Sequence, residues 1–404
     1  MSMMKHPALY ITLCALFFSL RCMAQNQTNL PTSMYGIGEL SAGDGGRYAA
    51  MGQTGVALNR VGFLNTQNPA AITRMDTACF TFDVGATSSY ARYHFLSERS
   101  ANFTGNPNRF VIGFRMMPRW YTLVGMTPYS SVGYLISTRE VIVGEPDNYL
   151  YSYFEGEGGL YKAFLTNAFR LTPHLSLGNS IGIILGKTKQ SETQEGATVE
   201  HESRKRALYV DFGLHYNWGN PQGRTWETGL TFAPSIGIRQ ENSLGYSNSS
   251  TNETIDESEH SRPQYQPMHI GAGIAMQTGR WTLTADYHYI DWSRNVSKDA
   301  QYRYENQHKV SVGTLYVTQP RKPRSIELMG GASFSNSYIS LRGGKMYYAE
   351  INAGASFPIN ESFLSLGIGW RRQLNSRSNL MQESRLNIHL NLTFGEKLWR
   401  AKLK

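Results

Sequence analysis

Residues 175–186 read LSLGNSIGIILG. In an extended chain Leu175, Leu177, Ile181, Ile183 and Leu185 fall on one side, and Ser176, Gly178, Ser180, Gly182 and Gly186 on the other. A period of two marks a β-strand, because successive side chains leave opposite faces of the pleat. The same split recurs toward the C-terminus. Trp281, Leu283, Ala285, Tyr287 and Tyr289 alternate with Thr282, Thr284, Asp286 and His288, and Leu364, Leu366, Ile368 and Trp370 with Ser365, Gly367, Gly369 and Arg371. In the last such stretch Leu386, Ile388, Leu390, Leu392 and Phe394 alternate with Asn387, His389, Asn391 and Thr393. The second faces are too polar for a protein core. A soluble sandwich also alternates, with its polar faces outward. Repetition over the whole chain favours a membrane barrel instead, as do the aromatics Trp218, Trp226, Trp281, Trp292 and Trp370 near strand ends, where barrels place interfacial girdles.

Composition agrees with that choice. The 404 residues include 39 Gly and 24 Tyr, aromatics reach 12%, and mean hydropathy is only -0.38. Weak average hydropathy suits strands that show lipid only every second residue. Counting segments between turn signals predicts an all-β, antiparallel transmembrane barrel of about fourteen strands. They are placed near 78–95, 108–118, 120–139, 157–171, 175–190, 205–218, 225–240, 266–279, 280–293, 303–318, 324–342, 345–358, 362–375 and 383–394. Short turns such as Thr172-Pro173-His174 and Thr278-Gly279-Arg280 alternate with longer polar links, above all residues 241–266; Arg342-Gly343-Gly344-Lys345 is the exception. Outer-membrane barrels keep short turns in the periplasm and long loops outside, so both chain ends are expected on the periplasmic side.

The N-terminus reads as a secretory signal over residues 1–24: Lys5 and His6, an apolar run from Ala8 to Leu20, then Cys22-Met23-Ala24. The run is too short to span a bilayer. Acylation of Cys22 is the alternative, opposed by Arg21 in front of it. Removal of Lys5 and Arg21 takes the net charge from +9 to +7, since residues 1–24 hold no acid. Cys79 is then the one cysteine left, which excludes an internal disulfide. No basic run interleaves with stacking aromatics, so nucleic acid is not the expected partner; outer-membrane lipid and lipopolysaccharide phosphates suit the positive charge better. Residues 25–77 do not alternate and form a glycine-rich leader to the barrel at 78–394, and residues 395–404 a periplasmic tail.

Residues 39–48 (ELSAGDGGRY), 52–57 (GQTGVA), 68–76 (NPAAITRMD) and the strand entry at 80–85 (FTFDVG) resemble the FadL family of outer-membrane transporters for long-chain fatty acids and other hydrophobic compounds. The likeness continues more loosely through much of residues 35–190. It implies a monomeric barrel whose leader forms a hatch in the lumen, with Asn68, Pro69 and Ala70 as the turn that brings the hatch back to the wall. It also implies ligand capture outside, binding above the hatch and lateral release through the wall. Apolar burial at roughly 0.8 kcal/mol per methylene lets such a pocket bind an alkyl chain without catalysis.

A lateral gap needs a strand that stops pairing. Gly125, Pro128 and Gly133 make the third strand the candidate, because Pro donates no ladder hydrogen bond; an ordinary bulge near the rim is the competing reading. Asp286, His288 and Arg371 are predicted to face the lumen, where Arg371 is a candidate for a carboxylate head group. Lumenal charges also pair with one another or with a hatch. Met34, Tyr35 and Ile37 are candidate ligand contacts from the hatch, against plain hatch packing. No HExxH, nucleophile elbow, phosphate loop or metal-ligand spacing is present, so no enzyme activity, cofactor or metal is expected. Two other roles compete with uptake: a FadL-like barrel that binds proteins in a secretion system, as PorV does, and a passive porin.

Overall fold

The computed structural model describes residues 30–41, 46–75, 79–95, 98–142, 145–219, 223–248, 253–259, 263–297, 301–319, 325–360, 362–374 and 382–397. The expected signal at 1–24, the start of the leader at 25–29 and the tail beyond 397 lie outside the described residues. A 3-10 turn at Pro31–Met34 is followed by twenty strands: β1 (Glu39–Leu40), β2 (Cys79–Phe95), β3 (Glu98–Met117), β4 (Trp120–Ser131), β5 (Tyr134–Ile142), β6 (Glu145–Arg170), β7 (Leu175–Gln194), β8 (Ala197–Gly219), β9 (Arg224–Ala233), β10 (Ile236–Asn248), β11 (Glu253–Glu259), β12 (Gln264–Gln266), β13 (Met268–Thr278), β14 (Trp281–Asp291), β15 (Tyr302–Tyr304), β16 (Gln307–Val317), β17 (Glu327–Leu341), β18 (Gly344–Ile359), β19 (Ser362–Gln373) and β20 (Gln382–Lys397).

Apart from β1, these make a closed antiparallel barrel of 14 strands. β4 with β5, β9 with β10, β11 with β12 and β13, and β15 with β16 are each one interrupted wall strand, since each set shares its neighbours. β20 pairs with β2 from Cys79↔Lys397 to His94↔Gln382, and this seam closes the cylinder. Closure leaves no free edge at the β2/β20 junction, where lipid could not satisfy one.

The alternation seen in sequence is an inside-outside alternation. Along β7 and β8 Ile181, Ile183, Leu185, Leu208 and Phe212 are exposed, while Ile184, Ala207 and Tyr209 are buried. Exposed Leu230, Phe232, Ile270, Ile274, Val310, Val312, Leu366 and Ile368 continue the outer belt, an apolar surface that only lipid explains. Trp218 stacks on Trp226 at 6.3 Å, and Trp281 lies against Tyr316 at 4.8 Å, at the ends of strands joined by short turns. Trp292 departs from the expected girdle. It is fully buried and stacked on Tyr304 and Tyr338, because it lies past the end of β14 where the chain turns inward.

The strands also run farther outward than the polarity of the sequence predicts. Residues 187–204 form a ladder, Lys187↔Arg204 and Ser191↔Glu200, closed by Glu195 and Gly196 at φ 48° and 82°. Such a two-residue turn of left-handed conformers matches strand twist. Residues 242–248 pair with 253–259 as a further hairpin within the stretch expected to be loop. Above the membrane both faces meet water, so the polar alternation vanishes while the backbone ladder persists. The last strand ends at Lys397, three residues past the expected Phe394.

Candidate functional site

The described part of the leader, residues 30–41 and 46–75, fills the lumen. Met51, Val56, Leu58, Leu64, Ala70, Ala71 and Ile72 are 0–1% exposed. Its backbone is mostly successive turns: the amides of Ala49, Met51, Thr54, Leu58 and Ala71 donate to the carbonyls of Gly46, Tyr48, Met51, Gly55 and Asn68. Two apolar clusters anchor it. Leu64, Ile72 and Met75 pack on Val111, Tyr121, Leu123 and Phe164, and Tyr48, Met51, Leu58 and Phe63 on Leu315 and Met329.

Glycines on the inner wall make room for this chain. A Cβ at Gly178 or Gly213 would run into Asn68, Pro69 or Ala70, at Gly229 into Val56, at Gly331 into Gly52 and at Gly354 into Ala50. The Asn68-Pro69-Ala70 turn therefore docks on β7, β8 and β9 rather than beside β2, where the chain enters the wall. Asn68 is fully buried. Its Nδ2 donates to Val56 O (2.6 Å) and Leu214 O (3.1 Å), and its Oδ1 accepts from the Ala70 amide (2.9 Å).

Buried wall charges hold the hatch. Asp286 Oδ2 accepts from the amides of Gly55 (2.6 Å) and Val56 (3.0 Å). Glu327 binds Arg47 (2.9 Å) and Arg60 (3.4 Å), Glu227 binds Arg74 (3.0 Å), and Asp83 binds Arg109 (2.8 Å), whose other nitrogens donate to Leu64 O and Thr66. Burial pushes the hydroxyl of Tyr48 up, against the pull of Arg47 beside it.

Above the hatch lies a cavity of about 460 Å³. Its walls mix the polar side chains of Lys162, Asp211, His269, His288, Lys309 and Glu350 with apolar surface, to which Leu40, Tyr129, Ile290 and Ile339 contribute. His288 stacks on His269 with ring nitrogens 3.0 Å apart. Arg371 lines the cavity but already contacts the hatch through Glu39 (3.4 Å) and lies over Tyr348; Arg385 binds the same Glu39 at 2.7 Å. Asp286 lies beneath the cavity, engaged by the hatch amides. Met34, Tyr35 and Ile37 do not line the cavity: Met34 O accepts from Gln190, Tyr35 meets Tyr302 and Gln301, and Ile37 is buried with Trp292, Tyr338 and Met346.

The cavity reaches a seam in the wall. β3 and β4 pair from Met117↔Trp120 up to Phe110↔Met126 and no farther. Above that point β3 stays with β2, while β4 and β5 stay with β6. Each lip carries a proline and a bulge at this height. The register slips at Pro107 and Asn108 on β3, and at Tyr129 beside Pro128 on β4. Neither proline has an amide to donate, so the ladder has no ready continuation. Asn106, Pro107, Asn108, Thr127, Pro128 and Tyr129 all border the cavity. Gly125 sits lower, in the paired region, and Gly133 is clasped by Ser33, whose Oγ donates to Gly133 O (3.2 Å) and accepts from its amide (3.0 Å). Pro107 lies one residue ahead of the strand expected over 108–118, which leaves it outside the candidates for the lateral opening.

The sequence profile of the BamG family matches residues 3–404. The chain belongs to the BamG family. No curated protein matches it by sequence. Solved structures similar to this BamG-family chain include the Pseudomonas putida toluene transporter TodX (TM-score 0.60, 12% identity, 89% of this chain and 99% of that one). Others are the CymD monoaromatic hydrocarbon channel (0.58, 13%, 90% and 99%) and a Pseudomonas aeruginosa FadL homologue (0.57, 12%, 88% and 99%). At these identities the likeness concerns the fold, which is that of the FadL-like barrels.

Proposed function

We propose that this BamG-family barrel is an outer-membrane transport protein that passes a small amphiphile between its lumen and the membrane through the β3/β4 seam. The observation that carries the reading is the continuity of the cavity with a stretch of wall where β3 and β4 have parted and only the short hatch strand β1 meets the β4 lip. In this reading residues 1–24 are a cleaved signal, 25–77 the hatch and 78–394 the barrel. The names of the similar structures, a toluene transporter, a monoaromatic hydrocarbon channel and a FadL homologue, support a hydrophobic cargo class. The polar lining refines it. A fatty acid-like molecule sets its tail toward Pro107, Pro128, Tyr129 and Ile290 and its anionic head toward Lys309 and Arg371, cations that border the cavity.

A second reading has a specific observation behind it. Wall carboxylates fix the hatch at Arg47, Arg74 and the amides of Gly55 and Val56, and charged side chains share the cavity lining, which suits a barrel that serves as a binding partner of other exported proteins. A proteoliposome assay separates them. In a Cys79→Ser background, Asn108→Cys and Thr127→Cys are bridged across the seam by a bismaleimide, and entry of a fluorescent long-chain fatty acid is followed. Transport predicts uptake by the unbridged protein and a loss of about tenfold or more on bridging. Equal rates with and without the bridge contradict lateral passage, and no uptake by either form favours the second reading.

A further inference from the structure

The wall carries an unpaired edge outside the membrane. β5 pairs with β6 from Tyr134↔Gly156 to Val141↔Tyr149. Among the described residues no ladder covers its other edge, because β3 has parted from β4 below it. The height follows from the neighbouring strands. Leu185, the last exposed aliphatic residue on β7 before Lys187 and Lys189, stands opposite Tyr161 on β6. Tyr153 is eight residues farther out, roughly 20 Å beyond the lipid belt at about 3.3 Å per residue and a tilt near 40°.

At that height one face of the β5/β6 ribbon is rich in apolar side chains. Tyr149, Tyr151 and Tyr153 are 41%, 48% and 49% exposed, and on β5 Leu135 and Val141 are 74% and 55% exposed. Cross-strand pairing sets Val141 beside Tyr149, Arg139 beside Tyr151 and Ser137 beside Tyr153, so all five apolar groups share a face. In lipid such a stripe is ordinary. In water, next to a row of unpaired backbone groups, it is a liability unless a partner covers it. The charge around it is distinctive as well. Among the described side chains of residues 134–157, Arg139 stands against Glu140, Asp147, Glu155 and Glu157, one positive and four negative, with Lys189 of β7 opposite Glu157, in a chain whose net charge is +9. Added strands are already accepted on this side of the wall: hatch strand β1 pairs with β4 at Glu39↔Ser131 and Leu40↔Ser130, on the edge that continues into β5.

We propose that the β5 edge docks an extended, basic segment of a partner protein by strand addition, with alternate apolar side chains laid over the tyrosine stripe. Backbone pairing gives such a mode its affinity and the side-chain stripe its selectivity. The acidic surround selects a cationic segment and disfavours lipopolysaccharide phosphate. The site stands roughly 20 Å beyond the lipid belt, whereas the seam opens at the belt's outer edge, where Pro128 pairs with Tyr161, so its failure and the failure of lateral transport are separable.

The test uses the full chain in detergent and a fluorescent peptide of about ten residues, alternating Lys and Val, a usual strand length. Two control peptides alternate Glu and Val, or keep the Lys/Val sequence with N-methyl groups on every second amide. The Lys/Val peptide is expected to bind, both controls to bind about tenfold more weakly or worse, and Tyr151→Ala/Tyr153→Ala to weaken binding severalfold while heat stability and fatty acid uptake stay unchanged. Equal binding of the N-methylated peptide, or no binding of the Lys/Val peptide, overturns strand addition. Disulfide-linked dimers of Leu135→Cys in a Cys79→Ser background overturn it too, by assigning the edge to a second copy.

Discussion

Asn68 ties the hatch to itself and to the wall at once, with both side-chain ends engaged and no exposed surface. Asn68→Ala removes three buried hydrogen bonds and leaves Val56 O and Leu214 O short of a donor. It is expected to cost about 2–4 kcal/mol, measured as a lowered urea midpoint for the loss of the compact band on unheated gels. The Asp83–Arg109 pair is almost fully enclosed. Arg109→Met leaves the carboxylate with Asn391 and Thr393 but without its cation and is expected to cost about 3–5 kcal/mol by the same assay, with most of that recovered in Asp83→Leu/Arg109→Met. At this scale the sequence was only half readable. Periodicity sent Asp286, His288 and Arg371 inward. It held no sign that Asp286 would be taken by two hatch amides or Arg371 by Glu39, because partners brought together from the irregular leader have no period.

The seam is a property of strands. Pro107 and Pro128 stand on opposite lips at nearly the same height, each next to a bulged residue, and together they end the β3/β4 ladder. Restoring donors in Pro107→Ala/Pro128→Ala is expected to let pairing climb. Hydrogen exchange at Thr127 and Asn108, short of the β4 positions that hatch strand β1 already covers, reads this as protection raised about tenfold or more, alongside slower uptake; unchanged protection places the cause of the gap elsewhere. Strand number, order and the short-turn side were legible because the lipid belt imposes strict alternation on every crossing. The outward extensions of β3, β6, β7, β8 and β10 were not. Once both faces meet water, nothing in side-chain polarity marks a strand, and turn residues such as Glu195-Gly196 are short enough to pass unnoticed.

On the scale of the whole molecule, the hatch fills the cylinder along its axis, and among the described residues the β3/β4 ladder stops short in its side. The axial block predicts that the full chain in a planar bilayer carries no steady ionic current. Loosening it with Asp286→Asn/Glu327→Gln, which weakens the hold on Gly55, Val56, Arg47 and Arg60, is expected to produce one. The lateral interruption is the central claim, and its most direct measurement is labelling from the lipid phase. In a Cys79→Ser background, Thr127→Cys at the seam and Ser311→Cys, fully buried on the inner wall, are exposed in proteoliposomes to a maleimide with a long alkyl chain that partitions into the bilayer. The account predicts labelling of Thr127→Cys at least about tenfold faster than that of Ser311→Cys, since only the former borders an opening to lipid. Equal rates at the two positions, or a Thr127→Cys that the bilayer reagent cannot reach, contradict it.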